Sequence, residues 1–305
     1  MDRILFGDNQ FFGINHMSDE KARQQAMRFR DARSIVDVLD IAYELGVKTF
    51  MCTTHERIGE ICDHIRAHPS KYEEFEFYPC MPYAHKYANA ISQHGMFEAL
   101  KKYAPRSLVG TLLKSAQVAL SKDVYGLMKL LVDAEMKRFK GVSTRVIFLQ
   151  NVVTDLLLGL GMGKFYVAFA EYVQERYDAS PGFITMNLPK LLDTLDACGI
   201  ANPIVCSPIN RIGFRMCGGV ELYEETISKR NFRPVAMSVF ASGALRPEEA
   251  LTYVCGQKKI ESIVFGGSTK QHIQQTVELI QQLDSLGDEG CCCRTMETVA
   301  DTQRV

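Results

Sequence analysis

The sequence predicts a single parallel (β/α)8 barrel, and three observations carry that reading. Eight short apolar runs recur along the 305 residues, each followed by a helical pattern. The strand–helix rhythm continues to the last helix, leaving no room for a separate second sheet. The turn after the first strand, Gly7-Asp8-Asn9-Gln10, lacks the GxGxxG spacing of the runner-up, a doubly wound open sheet.

Each element has a local reason. Ile4–Phe6 is a first strand closed by a polar turn. Residues 31–45 place apolar side chains at helical spacing, and Gly46 is a C-cap signal. VKTFMC is the second strand, and an amphipathic helix follows around 57–67. FEFYPCM (75–81) and RVIFLQ (145–150) are the third and fourth strands. A helix near 164–177 precedes PGFITMN, the fifth strand, and LPKLLDTLDACGI is the next helix. IVCSPIN, PVAMSVF and SIVFGG complete the eight, with STKQHIQQTVELIQQL as the closing helix. The barrel thus occupies 1–285.

Two parts exceed a minimal barrel. A helical insertion at about 84–122, followed by a barrel helix near 123–140, separates strands three and four. It sits on the mouth side of strand three, where the expected roles are a lid over the mouth, an oligomer contact in a homo-oligomer, or simple padding. Residues 286–305 (LGDEGCCCRTMETVADTQRV) are polar and lack periodicity, which predicts a flexible Cys-rich extension.

Composition narrows the function. Hydrophobic residues make up 47%, enough for a sizeable core. A net charge of −1 leaves no electrostatic footprint for nucleic acid or an acidic membrane. The N-terminus shows no signal-peptide pattern, and no run is long and apolar enough to span a membrane. The ten cysteines sit mostly in apolar segments, as reduced, buried residues of a cytoplasmic protein do. A small-molecule substrate is the expected partner.

Polar residues crowd the C-terminal ends of the strands, where barrels carry their chemistry. Strand one offers Asp8 and Asn9 as substrate contacts, with His16 in the loop. The stretch KTFMCTTHERIGEI ends strand two in Cys52, Thr53, Thr54, His55 and Glu56. Strand three adds Cys80, Tyr83 and His85, strand four Gln150 and Asn151, and strand five Asn187. His55, Glu56 and Tyr83 are acid/base candidates, with Cys52 or Cys80 as nucleophile. Cys52, His55, Cys80 and His85 would alternatively suit zinc or another divalent metal. A third reading leaves both thiols in apolar layers and His55 as a helix cap.

The C-terminal half resembles a known family, and the likeness covers most of the barrel. IESIVFGGSTKQHIQQTVELIQQL is similar to the last strand and cofactor-binding helix of the aldo-keto reductases. FITMNLPKLLDTLDACGIANPIVCSPIN and VAMSVFASGAL resemble the family's fifth to seventh strands. Physics agrees independently for Gly266, Gly267, Ser268 and Thr269, which precede a helix whose free N–H groups favour an anion. The resemblance implies NADP(H) as cofactor, Asn187 on the nicotinamide carboxamide (Asn210 also matches), Ser242 along the pyrophosphate, and carbonyl or redox chemistry on a small polar metabolite.

It also exposes departures. The family's catalytic Asp would fall at Met51 or Cys52, and its Tyr at Glu56 or Arg57. Cys80, Met81 and Pro82 stand where its Lys is expected, and Gln150-Asn151 where its His is expected. His272 lies near the phosphate-binding basic position, and Thr276 replaces the usual Asn. The alternative is a nicotinamide-independent lyase, isomerase or hydrolase that holds a substrate phosphate at the last turn, or a non-catalytic barrel.

Overall fold

A computed structural model describes residues 1–14, 18–83 and 124–300, with side chains described as far as 286. Eight parallel strands close a barrel in chain order: β1 (Ile4–Phe6), β2 (Thr49–Thr53), β3 (Glu76–Met81), β4 (Val146–Leu149), β5 (Ser180–Ile184), β6 (Ile204–Pro208), β7 (Arg233–Met237) and β8 (Ser262–Phe265). β8 pairs back onto β1, Ile4 against Ile263. The described helices are α1 (Asp19–Arg28), α2 (Ala32–Glu44), α3 (Glu56–Ala67), α4 (Val124–Met136), α5 (Asn151–Gly159), α6 (Gly163–Tyr177), α7 (Leu188–Ala197), α8 (Val220–Lys229), α9 (Pro247–Cys255) and α10 (Lys270–Ala300).

Strand alternation divides the core into two layers. Leu5, Met51, Tyr78, Cys80, Phe148, Ile184, Cys206 and Val235 fill the barrel interior. Phe6, Phe50, Cys52, Phe77, Leu149, Phe183, Val205 and Phe265 face outward onto the helices. α3 shows how a helix is held there: Ile58, Ile61, Cys62 and Ile65 are buried. Each such aliphatic side chain contributes about 2 kcal/mol. Gly182 of β5 is required by close approach, because a Cβ there would lie 2.5 Å from the Phe148 ring that plugs the interior.

The N-terminal end of the barrel is ionic. Arg233 binds both oxygens of Glu261, which also takes the chain's amino terminus, and Arg145 pairs with Glu76. This end reads as stability rather than chemistry.

Three outcomes bear on the sequence reading. An extra helix, α1, lies between β1 and α2; its N-cap is Ser18, whose hydroxyl accepts from Lys21. α10 runs on to Ala300, so most of the Cys-rich extension expected from 286 is helical. The stretch contains no proline, and Glu, Met, Arg and Ala all propagate a helix. The expected insertion at 84–122, with His85, lies outside the described residues, as does His16.

Candidate active site

The mouth of the barrel is built from residues just past the strand ends. Asp8 follows β1 and is 6% exposed, whereas its neighbour Asn9 is exposed in a 3₁₀ turn. The Asp8 carboxylate receives two hydrogen bonds on Oδ2, from the backbone N–H and the hydroxyl of Thr53, both at 2.7 Å. Burial pushes the acidity of Asp8 up to about 6, and the donors from Thr53 and from its own amide only partly oppose this. A carboxyl near 6 can carry or release a proton at neutral pH.

The end of β2 shows where KTFMCTTHERIGEI sends its polar groups. Thr53 faces the mouth and binds Asp8. Thr54 is fully buried and donates its hydroxyl to Glu135 of α4 at 2.5 Å. His55 caps α3, its Nδ1 accepting from the Arg57 amide. Its ring stacks on Phe12 at 4.3 Å and meets the Tyr83 ring edge-on at 5.9 Å. The Arg57 guanidinium lies over the Phe12 ring, 4.9 Å from its centroid. Glu56 opens α3 on the exposed surface.

Glu135 and Arg138 hold this rim from behind. Both carboxylate oxygens of Glu135 accept from the Tyr83 amide at 3.2 Å. Arg138 donates to the carbonyls of Thr54 and of His55, the latter at 2.9 Å. Helix α4 and the 3₁₀ turn that follows it (Lys137–Phe139) thereby fix the loops that carry His55 and Tyr83.

The structure corrects several candidates. Cys52 points outward into the helix layer and Cys80 inward, so the two thiols belong to opposite faces of the sheet and cannot share a ligand. Burial raises both thiols well above their ordinary acidity, and Asp8's charge adds to this. Neither is a thiolate nucleophile. Among the described residues no group of three His, Cys, Asp or Glu is placed to hold a metal. Tyr83 does reach the mouth, but burial and the nearby Asp8 raise its phenol, opposite to what a proton-donating tyrosine needs. Asn210 is fully buried and binds Phe214 through both ends of its amide, which makes it a turn former.

The far side of the mouth is also pinned. Asp155 of α5 accepts from the Thr185 hydroxyl at 2.5 Å and the Met186 amide at 3.0 Å. Asn187 caps α7, accepting from Lys190 at 3.4 Å. Gln150 and Asn151 are half-buried at the start of α5, where the backbone N–H of Gln150 donates to the Met81 carbonyl.

After β8, Gly266 and Gly267 form a turn with no space for side chains. A Cβ on Gly266 would lie 2.2 Å from Gln10 Oε1, and one on Gly267 2.7 Å from Ile273. Thr269 caps the start of α10, its hydroxyl accepting from His272. Arg28, at the end of α1, donates to the Ser268 carbonyl at 2.6 Å and so brings a cation to this turn. In the neighbouring loop after β7, Ser238, Ala241 and Ser242 all adopt positive φ, from 46° to 57°.

Glu135, Arg138, Asp155 and Arg28 escape sequence reasoning. The third carries a usable signal, a lone carboxylate within an otherwise apolar helical run (VVTDLLLGL).

No protein-family model matches the chain, and no curated protein matches it in sequence. Solved structures do match. A protein assigned as an aldo-keto reductase from Pseudomonas aeruginosa superposes with a TM-score of 0.55 at 11% identity, covering 92% of this chain and 90% of that one. One assigned as 2,5-diketo-D-gluconic acid reductase B gives 0.51 at 10% identity, over 93% and 86%. An aspartate mutant of Gox0644, solved in complex with NADPH, gives 0.50 at 9% identity, over 93% and 89%. The chain therefore has the aldo-keto reductase fold, a closed (β/α)8 barrel with its polar rim at the C-terminal ends of the strands.

Proposed function

We propose that this protein is an NADP(H)-dependent oxidoreductase that interconverts a carbonyl and an alcohol on a small polar metabolite at the barrel mouth. The observation that carries the reading is the turn after β8. Gly266 to Thr269 opens onto the free N–H groups of α10, and Arg28 lies against Ser268. A helix N-terminus with an adjacent guanidinium suits a phosphate. The residues present therefore fit the phosphate end of a dinucleotide.

The loop after β7 supports the same reading. Three non-glycine residues at positive φ cost about 1–3 kcal/mol each and persist only where the surroundings over-determine them, often at ligand sites. Ser242 in this loop would lie along the pyrophosphate, and Asn187 would face the carboxamide. When bound, the nicotinamide supplies or accepts a hydride. Asp8, Thr53, His55 and Tyr83 line the rim at the ends of β1 to β3, where a small polar substrate would be oriented. Every described cysteine is a free thiol, which suits a reducing, cytoplasmic setting.

Calorimetric titration with NADPH tests the reading. One-to-one binding is expected, weakened about tenfold or more in Ser268→Asp, where a new negative charge meets the phosphate, and several-fold in Arg28→Ala. Absence of binding at high micromolar NADPH overturns it.

A further inference from the structure

We infer that Asp8 is the proton donor and acceptor of this site, taking the place that a tyrosine fills elsewhere in the fold. The inference rests on the oxidoreductase reading above and adds the residue that handles its proton.

The geometry singles out Asp8 among the groups at the mouth. Its side chain is more than nine-tenths buried, at the end of β1 beside the end of β2. The groups that feel its charge are Cys52 on β2, Cys80 on β3 and Tyr83 just beyond it. The donors it receives are the amide and hydroxyl of Thr53 and its own amide, and among the described residues no cation offsets its burial. Both Thr53 donors converge on Oδ2. The proton of the neutral acid therefore belongs on Oδ1, which carries neither of these bonds. The other rim groups are otherwise engaged: both thiols lie in packed layers and are raised by burial, His55 caps α3 through Nδ1 with its ring stacked on Phe12, the Tyr83 phenol is raised, and Glu56 stands on the exposed surface.

The proton balance is simple. In the reducing direction the carbonyl carbon gains a hydride from the reduced nicotinamide and the C=O π bond breaks. The oxygen takes the proton from Asp8 Oδ1, leaving the carboxylate, which is reprotonated from water. In the oxidising direction the carboxylate removes the alcohol proton. Reduction thus needs the neutral acid and slows as pH rises through the acidity of Asp8, whereas oxidation speeds up over the same range.

Three readouts test this together: NADPH affinity by calorimetry, NADPH-dependent reduction of 4-nitrobenzaldehyde between pH 5 and 9, and the ¹³C carboxyl titration of aspartate-labelled protein. Asp8→Asn keeps an oxygen for the Thr53 donors. It is expected to bind NADPH like the parent, lose at least 100-fold in kcat with KM nearly unchanged, and lose the pH limb. One carboxyl resonance titrating near 6 should vanish in this variant. Thr53→Val removes a donor that favours the ionised form, so the limb should move to higher pH, a shift that a purely structural role of Asp8 would not produce. Tyr83→Phe should cost only a few-fold.

If NADPH does not bind the parent, the oxidoreductase reading fails and the inference falls with it. If NADPH binds but the parent does not reduce the aldehyde, the proton role alone is overturned. The same holds if Asp8→Asn keeps its rate and pH limb, or if Tyr83→Phe abolishes turnover instead.

Discussion

Glu135 and Thr54 form a buried hydrogen bond of 2.5 Å that ties helix α4 to the end of strand β2. The same carboxylate accepts the Tyr83 amide, so one side chain anchors two loops of the mouth. Replacing Glu135 by Leu would leave the Thr54 hydroxyl and the Tyr83 N–H buried without this acceptor. A loss of about 3–5 kcal/mol is expected in urea unfolding, whereas Glu135→Gln, which keeps an oxygen, should lose about 1–2 kcal/mol. Equal losses in the two variants would show that the carboxylate is not holding the loops.

The acidity of Asp8 predicts a pH-dependent stability. Its folded value is raised from 3.8 to about 6, so the folded state holds the proton more tightly than the unfolded chain. The stabilisation is complete below about pH 4 and is lost as pH rises through about 6. Above pH 7 the ionised, buried carboxylate is a liability on the order of 2–3 kcal/mol. Asp8→Asn should therefore be more stable than the parent by that amount at pH 7.5, with the difference vanishing near pH 4. Thermal melts at both values check it, and a pH-independent difference would contradict the raised acidity.

The turn after β8 depends on Gln10. Gly266→Ala drives a methyl into the Gln10 amide and should cost about 1–3 kcal/mol. Adding Gln10→Ala removes the obstacle, although it also removes the bond from Gln10 Nε2 to the Gly7 carbonyl. The double variant should recover part of the loss, and unfolding of the four proteins in a double-mutant cycle measures the coupling. Additive effects would place the constraint elsewhere.

Burial of Cys52 and Cys80 predicts inert thiols. Iodoacetamide at pH 8 should leave both unmodified in the folded protein, while the exposed Cys217 is alkylated. Both should react once urea unfolds the chain. Peptide mass spectrometry reads the order of labelling, and early modification of Cys80 would restore it as a nucleophile.

Much of the architecture is legible from periodicity alone. Apolar runs of three to six residues, each ending in polar groups and followed by an amphipathic helix, specify a parallel barrel because only a closed sheet ringed by helices buries both strand faces. The Gly266–Thr269 turn is legible for a related reason, since small residues before a helix leave its N–H groups accessible. Helical continuation past residue 286 was not, because polar residues with good helix propensity leave no hydrophobic period to detect.

Which polar residues share the mouth is decided only by the closed barrel. Met51 and Cys52 are neighbours in sequence, yet alternation sends one inside and the other outside, a parity set by register rather than residue type. Asp8 meets Thr53 across 45 residues, and Thr54 meets Glu135 across 81. Those pairings turn an unremarkable acid after β1 into a buried one near neutrality and reduce two conspicuous cysteines to packing. Sequence thus determined the barrel and the residues at its strand ends. Tertiary structure decided which of them are buried beside which, and burial sets the acidity on which the chemistry depends.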